Sequence, residues 1–431
     1  MSIARNVIHG LLGFVIPTIV VVASYPVLVH RLGAAAFGVY LLALSLSGTV
    51  MLLDLGFCAA TVKFVAEDLA ADRPDSAADV IVTSLVAYAA LGVVGGVAVA
   101  LAAPTLAGFF RLDARMAAAA VPVFRLAALQ FTALLPATVF LSVAKALGQF
   151  DRSAQYASLL SIATYGGAAA AALAGAGLVG TMTTTVAANF GAVVAMAAGG
   201  VRLCRARGIR LSHAHPAAFR RMLGFGWVLT VNSVAGFLLY QIQRYVAGIA
   251  LGPVAVTVTQ AASVVPSKMH AAVNAATEVM FPFSSASRDR ARLRQVYLRM
   301  LGGSAIVALG GFAALVMLAP PLLALWLGAS LAASVSPLLP VFALGYFFLA
   351  LSPAPYHLVN GIGRPGLNTV FYMMNALLNV TFLLGAAASG ITLHKLAWSF
   401  AAANILTGVC YQIAVELLIW RRVPRAAEVA A

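Results

Sequence analysis

Residues 31–67 read RLGAAAFGVYLLALSLSGTVMLLDLGFCAATVKFVAE. An Arg-Leu-Gly turn, Arg31 to Gly33, opens an apolar run long enough to cross a bilayer, and the run ends in a charged segment. Tyr40, Ser47 and Asp54 recur in it every seven residues, which lines them up along one side of a helix. A polar file inside a membrane span is costly unless it faces protein or water. The rest of the chain has to supply what this file faces.

Hydrophobic residues make up 62% of the 431 and charged residues 9%, and the mean hydropathy is +0.99. A soluble domain carries roughly a quarter of its residues as charges, so the composition is that of an integral membrane protein. The start, MSIARNVIHG, runs straight into apolar sequence with no clear cleavage site and reads as an uncleaved signal anchor. The cysteines, Cys58, Cys204 and Cys410, are far apart and form neither a disulfide framework nor a metal-ligand pattern.

Apolar runs bounded by charges, Gly and Pro predict an all-α polytopic fold of about twelve transmembrane helices. The first six fall at 10–29, 38–59, 80–102, 117–143, 155–174 and 178–201. The second six fall at 222–248, 254–283, 300–327, 336–360, 368–389 and 396–420. With the N-terminus inside, twenty of the 27 Lys and Arg residues lie in cytoplasmic segments, and five (Arg31, Arg111, Arg115, Arg244 and Lys395) lie outside. That asymmetry sets the orientation, with both termini cytoplasmic. It also accounts for most of the +15 net charge, so nucleic-acid binding is not implied.

The longest inside segment, RLCRARGIRLSHAHPAAFRR, divides the chain into an N-terminal six-helix lobe (1–205), a basic cytoplasmic linker (206–221) and a C-terminal six-helix lobe (222–431). The halves match each other. Leu32-Gly33 aligns with Leu251-Gly252 at an offset of 219, and Gly148 in KALGQFDRSAQY aligns with Gly363 in NGIGRPGLNTVF at an offset of 215. Two matches at nearly one offset point to a duplicated six-helix unit, and an even helix number gives both copies the same orientation. A two-lobed transporter with its substrate path between the lobes follows, with spans two and eight as equivalent helices.

Span eight carries Gln260, Ser263, Ser267, Asn274 and Glu278 on one stripe, with Lys268 about 80° to one side. Span seven carries Ser233, Gly236, Tyr240 and Arg244 on another. Hydroxyls and amides of this kind also serve to bond helices together. Lys268, Glu278 and Arg125 are harder to explain that way, because a charge at depth costs at least about 2.5–3.5 kcal/mol. They either line an aqueous cavity or pair locally, as Lys268 with Glu278. Asp54 and Arg244 lie nearer span ends, where snorkelling to the interface is the alternative. Glu416 reads as interfacial. Prolines within spans, among them Pro17, Pro26, Pro122, Pro136, Pro266 and Pro353, bend or break their helices. No HExxH, Walker or GxSxG motif is present, and the longest outer loop, 103–116, is short for an integral polymerase or ligase. Asn379-Val380-Thr381 is a glycosylation sequon buried inside span eleven.

The opening stretch resembles the signature of bacterial polysaccharide (O-antigen type) flippases of the multidrug/oligosaccharidyl-lipid/polysaccharide exporter superfamily. The matching pieces are Arg31 to Gly33, Phe37 to Tyr40, Leu53 to Gly56 and Phe64 to Glu67. QIQRYVAGIALGPVAV, VMFPFSS and NGIGRPG are similar to parts of the family's second half. Two departures stand out: Gln243-Arg244 where the family often has Asp-Arg, and Thr257-Val258-Thr259 where it often has Gly-x-Tyr.

The resemblance implies a V-shaped pair of lobes around a central cavity in the bacterial inner membrane. It implies a transporter, not an enzyme, that moves an undecaprenyl-diphosphate-linked oligosaccharide from the cytoplasmic to the periplasmic leaflet by alternating access. Arg125, Arg244 and Lys268 would give the diphosphate a cationic lumen. Tyr40, Ser47, Tyr240, Gln260, Ser267 and Asn274 would line that lumen. Asp54 or Glu278 would carry a coupling proton or sodium ion, with no other cofactor. Membrane lipids, and a polysaccharide polymerase with its chain-length machinery, are the implied partners. The alternatives are a multidrug/cation antiporter of the same superfamily, against which the first span holds no acidic residue, and an integral polymerase or ligase.

Overall fold

Long apolar segments satisfy their backbone groups internally only as helices or closed barrels, and here the described elements are helices. The structure is a computed structural model that describes residues 3–48, 56–211, 213–287 and 289–421. Asp54 lies outside the described residues. In chain order the helices are α1 (Ile3–Leu32), α2 (Ala34–Gly48), α3 (Phe57–Ala70), α4 (Pro74–Phe109), α5 (Ala114–Ala146) and α6 (Phe150–Ser161). A π turn, Ile162–Gly166, leads into α7 (Gly167–Leu173), followed by α8 (Gly177–Ala206), α9 (Pro216–Tyr240) and α10 (Ile242–Leu251). Then come α11 (Pro253–Thr277), α12 (Met280–Ala286), α13 (Arg290–Leu327), α14 (Ala329–Val335) and α15 (Leu339–Ala350). The last three are α16 (Pro353–Gly361), α17 (Pro365–Ala388) and α18 (Leu393–Val415).

Among the described residues nine helices are long and apolar enough to cross a membrane, or ten counting one bent pair in which Ser233–Tyr240 and Ile242–Leu251 meet at 41°. The helices at spans two and eight complete the twelve-helix order expected from the sequence. Span two contributes α2 and α3 on either side of residues that are not described. Span eight, α11, falls short on hydropathy because it carries Thr257, Gln260, Ser263, Ser267, Lys268 and Asn274. The outward surfaces are apolar, as lipid contact requires: Leu101 is 76% exposed, Ile306 75%, Met317 79% and Leu325 85%.

Local signals set the helix ends. Asp113 caps α5 by accepting from the Met116 amide at 2.7 Å, and Asp289 caps α13 by accepting from the Ala291 and Arg292 amides. Pro353 begins α16, so span ten is two helices rather than one. Gln412 donates to the Leu351 carbonyl at that break (2.9 Å), which satisfies a group the helix no longer covers.

The two halves of the internal repeat share backbone geometry. Gly33 and Gly252 adopt φ of 82° and 86°, and Gly148 and Gly363 adopt 70° and 77°. At the second pair the bonding is also the same. Gly148 and Gln149 donate to Lys145 and Ala144, as Gly363 and Arg364 donate to Asn360 and Val359. Each is a Schellman ending, which needs a left-handed residue and so favours glycine.

By packing, the chain forms one unit over Met1–Thr257 and another over Val258–Ala431. The repeat places its boundary in the basic linker, whereas packing assigns span seven to the first unit. The reason lies at one end of that unit. Phe57 packs on Phe219 and Phe64 on Phe225, and the His215 amide donates to Thr83 Oγ1 at 2.9 Å. The Asp68 carboxylate is fully buried, with Arg221 at 2.7 Å and Arg73 at 3.0 Å.

In the second unit, Met280, Leu293, Tyr297, Leu358, Val359, Tyr411 and Val415 form the core near the basic end of α13. A chain of amides joins α17 to α18: Asn375 donates to Asn404 Oδ1 at 3.0 Å, and Asn404 donates to the Phe400 carbonyl. Tyr411 bonds Asn368, which donates to Asn360 and to the Tyr356 carbonyl. Asn379 is wholly buried. Glu416 pairs with Arg294, both partly exposed, as an interfacial residue would.

Candidate functional site

The polar file of α2 points into the interior of the first unit. Tyr40 is fully buried, and its hydroxyl meets Thr185 Oγ1 of α8 at 3.1 Å and the Thr164 carbonyl of the π turn at 3.3 Å. One heptad on, Ser47 donates to Gln130 Oε1 of α5 at 2.8 Å. For these two residues the geometry displays the helix-bonding alternative. Gly48 leaves room for Gln241, since a Cβ there would lie 2.7 Å from Gln241 Nε2.

Gln241 is the residue at which span seven breaks, and the break carries further polar groups. Arg244 is half-buried one turn into α10, and its amide donates to the Gln241 carbonyl. Its charge acts on Tyr165 of the π turn and on Tyr245. Tyr165 lies near Tyr40, and Thr164 donates to Asn189 Oδ1 of α8 at 3.0 Å. The result is a polar cluster drawn from α2, α5, the π turn, α8 and the α9–α10 break. Among the described residues, the π turn and the 41° bend both lie at this cluster. A π turn widens a helix by one residue and is frequent at functional positions.

Six buried atoms around this cluster have no hydrogen-bond partner among the described residues: Gln130 Nε2, Asn189 Nδ2, Gln241 Oε1, Gln243 Nε2, Arg244 Nε and Tyr245 OH. Each such group costs about 1–3 kcal/mol unless water or a polar ligand completes it. A guanidinium, three amides and a phenol offer donors for an oxyanion or for hydroxyl-rich chemistry.

The other sequence-derived residues lie elsewhere. Arg125 is exposed on α5, about 140° round the helix from Gln130, and is not part of the cluster. Tyr240 is 40% exposed at the end of α9, while Gly236 is buried and Ser233 half-buried. In the second unit, Gln260, Ser267 and Lys268 are half-buried on α11. Ser263 and Ser267 donate to carbonyls of their own helix, Gln260 and Val264. Asn274 is exposed, and Glu278 is exposed at the α11–α12 junction, where it acts on His357. Lys268 and Glu278 stand ten residues apart, about 15 Å along the helix, which is too far for a direct pair.

Gln130, Asn189, Tyr165 and Gln241 were not singled out from sequence. A buried amide within an apolar span was the available signal for the first two. The local signal for the π turn is weak: IATYG has no proline, and only the Gly166-Gly167 pair at its end disfavours a regular helix.

A sequence family described as "Polysaccharide biosynthesis protein" matches residues 27–336. A Shigella flexneri protein named "Putative O-antigen transporter" is 21% identical over 384 residues, covering 86% of this chain and 88% of that protein. Two solved structures show the fold. One is the lipid II flippase MurJ in an inward closed conformation, with TM-score 0.79 and 11% identity over 95% of this chain and 87% of that one. The other is an inward-facing multidrug resistance MATE family transporter, with TM-score 0.67 and 16% identity over 96% of this chain and 100% of that one. The architecture is that of the multidrug/oligosaccharidyl-lipid/polysaccharide exporter superfamily, and the chain belongs to the polysaccharide biosynthesis protein family.

Proposed function

We propose that this multi-pass membrane transporter flips an undecaprenyl-diphosphate-linked oligosaccharide from the cytoplasmic to the periplasmic leaflet of a bacterial inner membrane, by alternating access. Family membership and the named relative support a polysaccharide cargo. The observation that carries the reading is the Arg244 cluster, a cation among four amides and a phenol that each leave a buried atom without a protein partner among the described residues. Hydroxyl-rich sugar and diphosphate oxygens would complete those groups, whereas an apolar drug would leave them bare. Arg244 supplies positive charge to the diphosphate, and Arg125 and Lys268, which lie outside this cluster, are further proposed cationic residues. Glu278 and Asp54 are the proposed carriers of a coupling proton or sodium ion. Both termini face the cytoplasm, and a polysaccharide polymerase with its chain-length machinery receives the product.

The test is surface polysaccharide in a strain whose only copy of the transporter is the variant. A charge-assisted hydrogen bond contributes about 1.5–3 kcal/mol, so Arg244→Gln lowers substrate affinity roughly 10- to 150-fold. Arg244→Lys recovers part of it. Lys268→Ala and Arg125→Ala each lower output while the protein still reaches the membrane. Normal polysaccharide in all three neutral variants overturns the cationic reading. Drug efflux without any polysaccharide defect would instead identify a multidrug antiporter.

A further inference from the structure

In the second unit, α11 and α13 enclose a groove of about 680 Å³ unrelated to the Arg244 cluster. Its walls are Met269, Ala272, Val273 and Ala276 on α11, and Met300, Gly303, Val307 and Gly311 with their neighbours on α13. Hydroxyls are scarce in the lining. Thr277, at one end, turns its hydroxyl onto the Val273 and Asn274 carbonyls of its own helix. Met269 closes the far end against Gly311, where a Cβ would stand 2.5 Å from Met269 Cε. From Arg299 to Phe312 the groove follows α13 for about 20 Å, somewhat more than half the thickness of a ~30 Å hydrocarbon core. The neighbouring α13 residues Ile306 and Leu309 are 75% and 62% exposed, so the groove opens on the lipid-facing surface.

Charge at the groove's mouth identifies the occupant. Arg299 lines it, and Arg292, seven residues earlier, lies on the same stripe of α13. Both are exposed, and no carboxylate lies within ion-pair distance of either among the described residues. Their neighbours are engaged: Arg290 donates to the Ile419 carbonyl, and Arg294 pairs with Glu416. The uncommitted positive charge is therefore the charge that stands over the groove. Basic pockets between membrane helices bind anionic headgroups, and guanidinium matches phosphate oxygens with paired hydrogen bonds.

We infer that the α11–α13 groove is a binding site for an anionic phospholipid, with its phosphate on Arg299 and Arg292 and one acyl chain lying along Gly303, Val307 and Gly311. The lipid comes from the leaflet at the basic end of α13. The inference does not depend on which cargo the protein carries.

Purified full-length protein in detergent, titrated with dioleoyl phosphatidylglycerol or dioleoyl phosphatidylcholine and followed by native mass spectrometry, tests it. The wild type retains phosphatidylglycerol at least tenfold more strongly than phosphatidylcholine. The exposed double variant Arg292→Gln/Arg299→Gln removes that preference. Val307→Trp, at a 66% exposed position that lines the groove, weakens both lipids by occupying the tail site. Equal retention of the two lipids by the wild type, or an unchanged preference in the Arg variants, overturns the proposal. Stoichiometric displacement of phosphatidylglycerol by a polyprenyl diphosphate would also overturn it, by showing that the groove holds a substrate tail.

Discussion

Replacing Asp68 by Ala tests whether the buried ion cluster at the end of α3 fastens span seven to the first unit. The carboxylate has no exposed surface. Its Oδ2 accepts from Arg221 Nη1 at 2.7 Å and from Ser76 Oγ at 2.8 Å. Oδ1 faces Arg73 at 3.0 Å without hydrogen-bond alignment. Hydrogen bonds to a charged group contribute about 1.5–3 kcal/mol each, and breaking a buried pair costs about 3–5 kcal/mol. Arg221 is 31% exposed and keeps Glu67 at 3.4 Å, so part of its charge is re-solvated on mutation. The expected net loss is roughly 2–4 kcal/mol. Arg221 also stacks on Phe64, 4.1 Å from the ring centroid, and Lys63 lies 4.2 Å from that of Phe225. The cations therefore remain near the site when the acid is gone.

The assay is a double-mutant cycle of Asp68→Ala and Arg221→Met, read by thermal unfolding of the detergent-solubilised chain. For a unit of this size a loss of 2–4 kcal/mol corresponds to roughly 4–16 °C in the midpoint. Asp68→Ala alone destabilises by that amount. The double variant recovers part of the loss, because removing both charges leaves no uncompensated ion. Coupling indistinguishable from zero refutes the argument, since it would mean that Asp68 and Arg221 act independently despite their distance.

Two further outcomes follow from the geometry. Gly33→Ala and Gly252→Ala each destabilise by about 1–3 kcal/mol, because both glycines hold φ above 80°; equal thermal shifts in the two variants would show that the repeated turns are energetically equivalent. Asn375→Leu removes the donor to Asn404 Oδ1 and destabilises by about 1–3 kcal/mol. Asn379→Leu is neutral or stabilising, because neither amide atom of Asn379 has a protein partner among the described residues; a loss as large as that of Asn375→Leu would show that Asn379 is bonded through an ordered water.

The fold was largely legible because its signals are local or periodic. Apolar runs of membrane length, the Leu-Gly turns at Gly33 and Gly252, and the basic segments each follow from a few neighbouring residues. The polar file was legible as far as Tyr40 and Ser47, whose seven-residue spacing places them on one side of α2. Their partners were not, because Thr185 and Gln130 stand 145 and 83 residues away and only packing brings them close. The same holds for Asp68 and Arg221, which are 153 residues apart. Lys268 with Glu278 shows the converse: a pairing that looks natural in sequence is excluded by helix rise.

Two irregular backbone segments adjoin the proposed site, while the break before Pro353 and the π segment Glu416–Arg421 lie in the second unit. Helices α4, α5 and α8 run for 30 residues or more without interruption. The π turn at Ile162–Gly166 and the 41° bend at Gln241 interrupt the two spans whose polar groups meet near Tyr165 and Arg244. Each of the six buried atoms without a protein partner among the described residues costs about 1–3 kcal/mol wherever nothing else bonds it. Well-packed apolar side chains of similar volume would remove that cost, and cores accept such replacements readily. On the function proposed above, the arginine, four amides and phenol of this cluster are kept for the ligand they would bind.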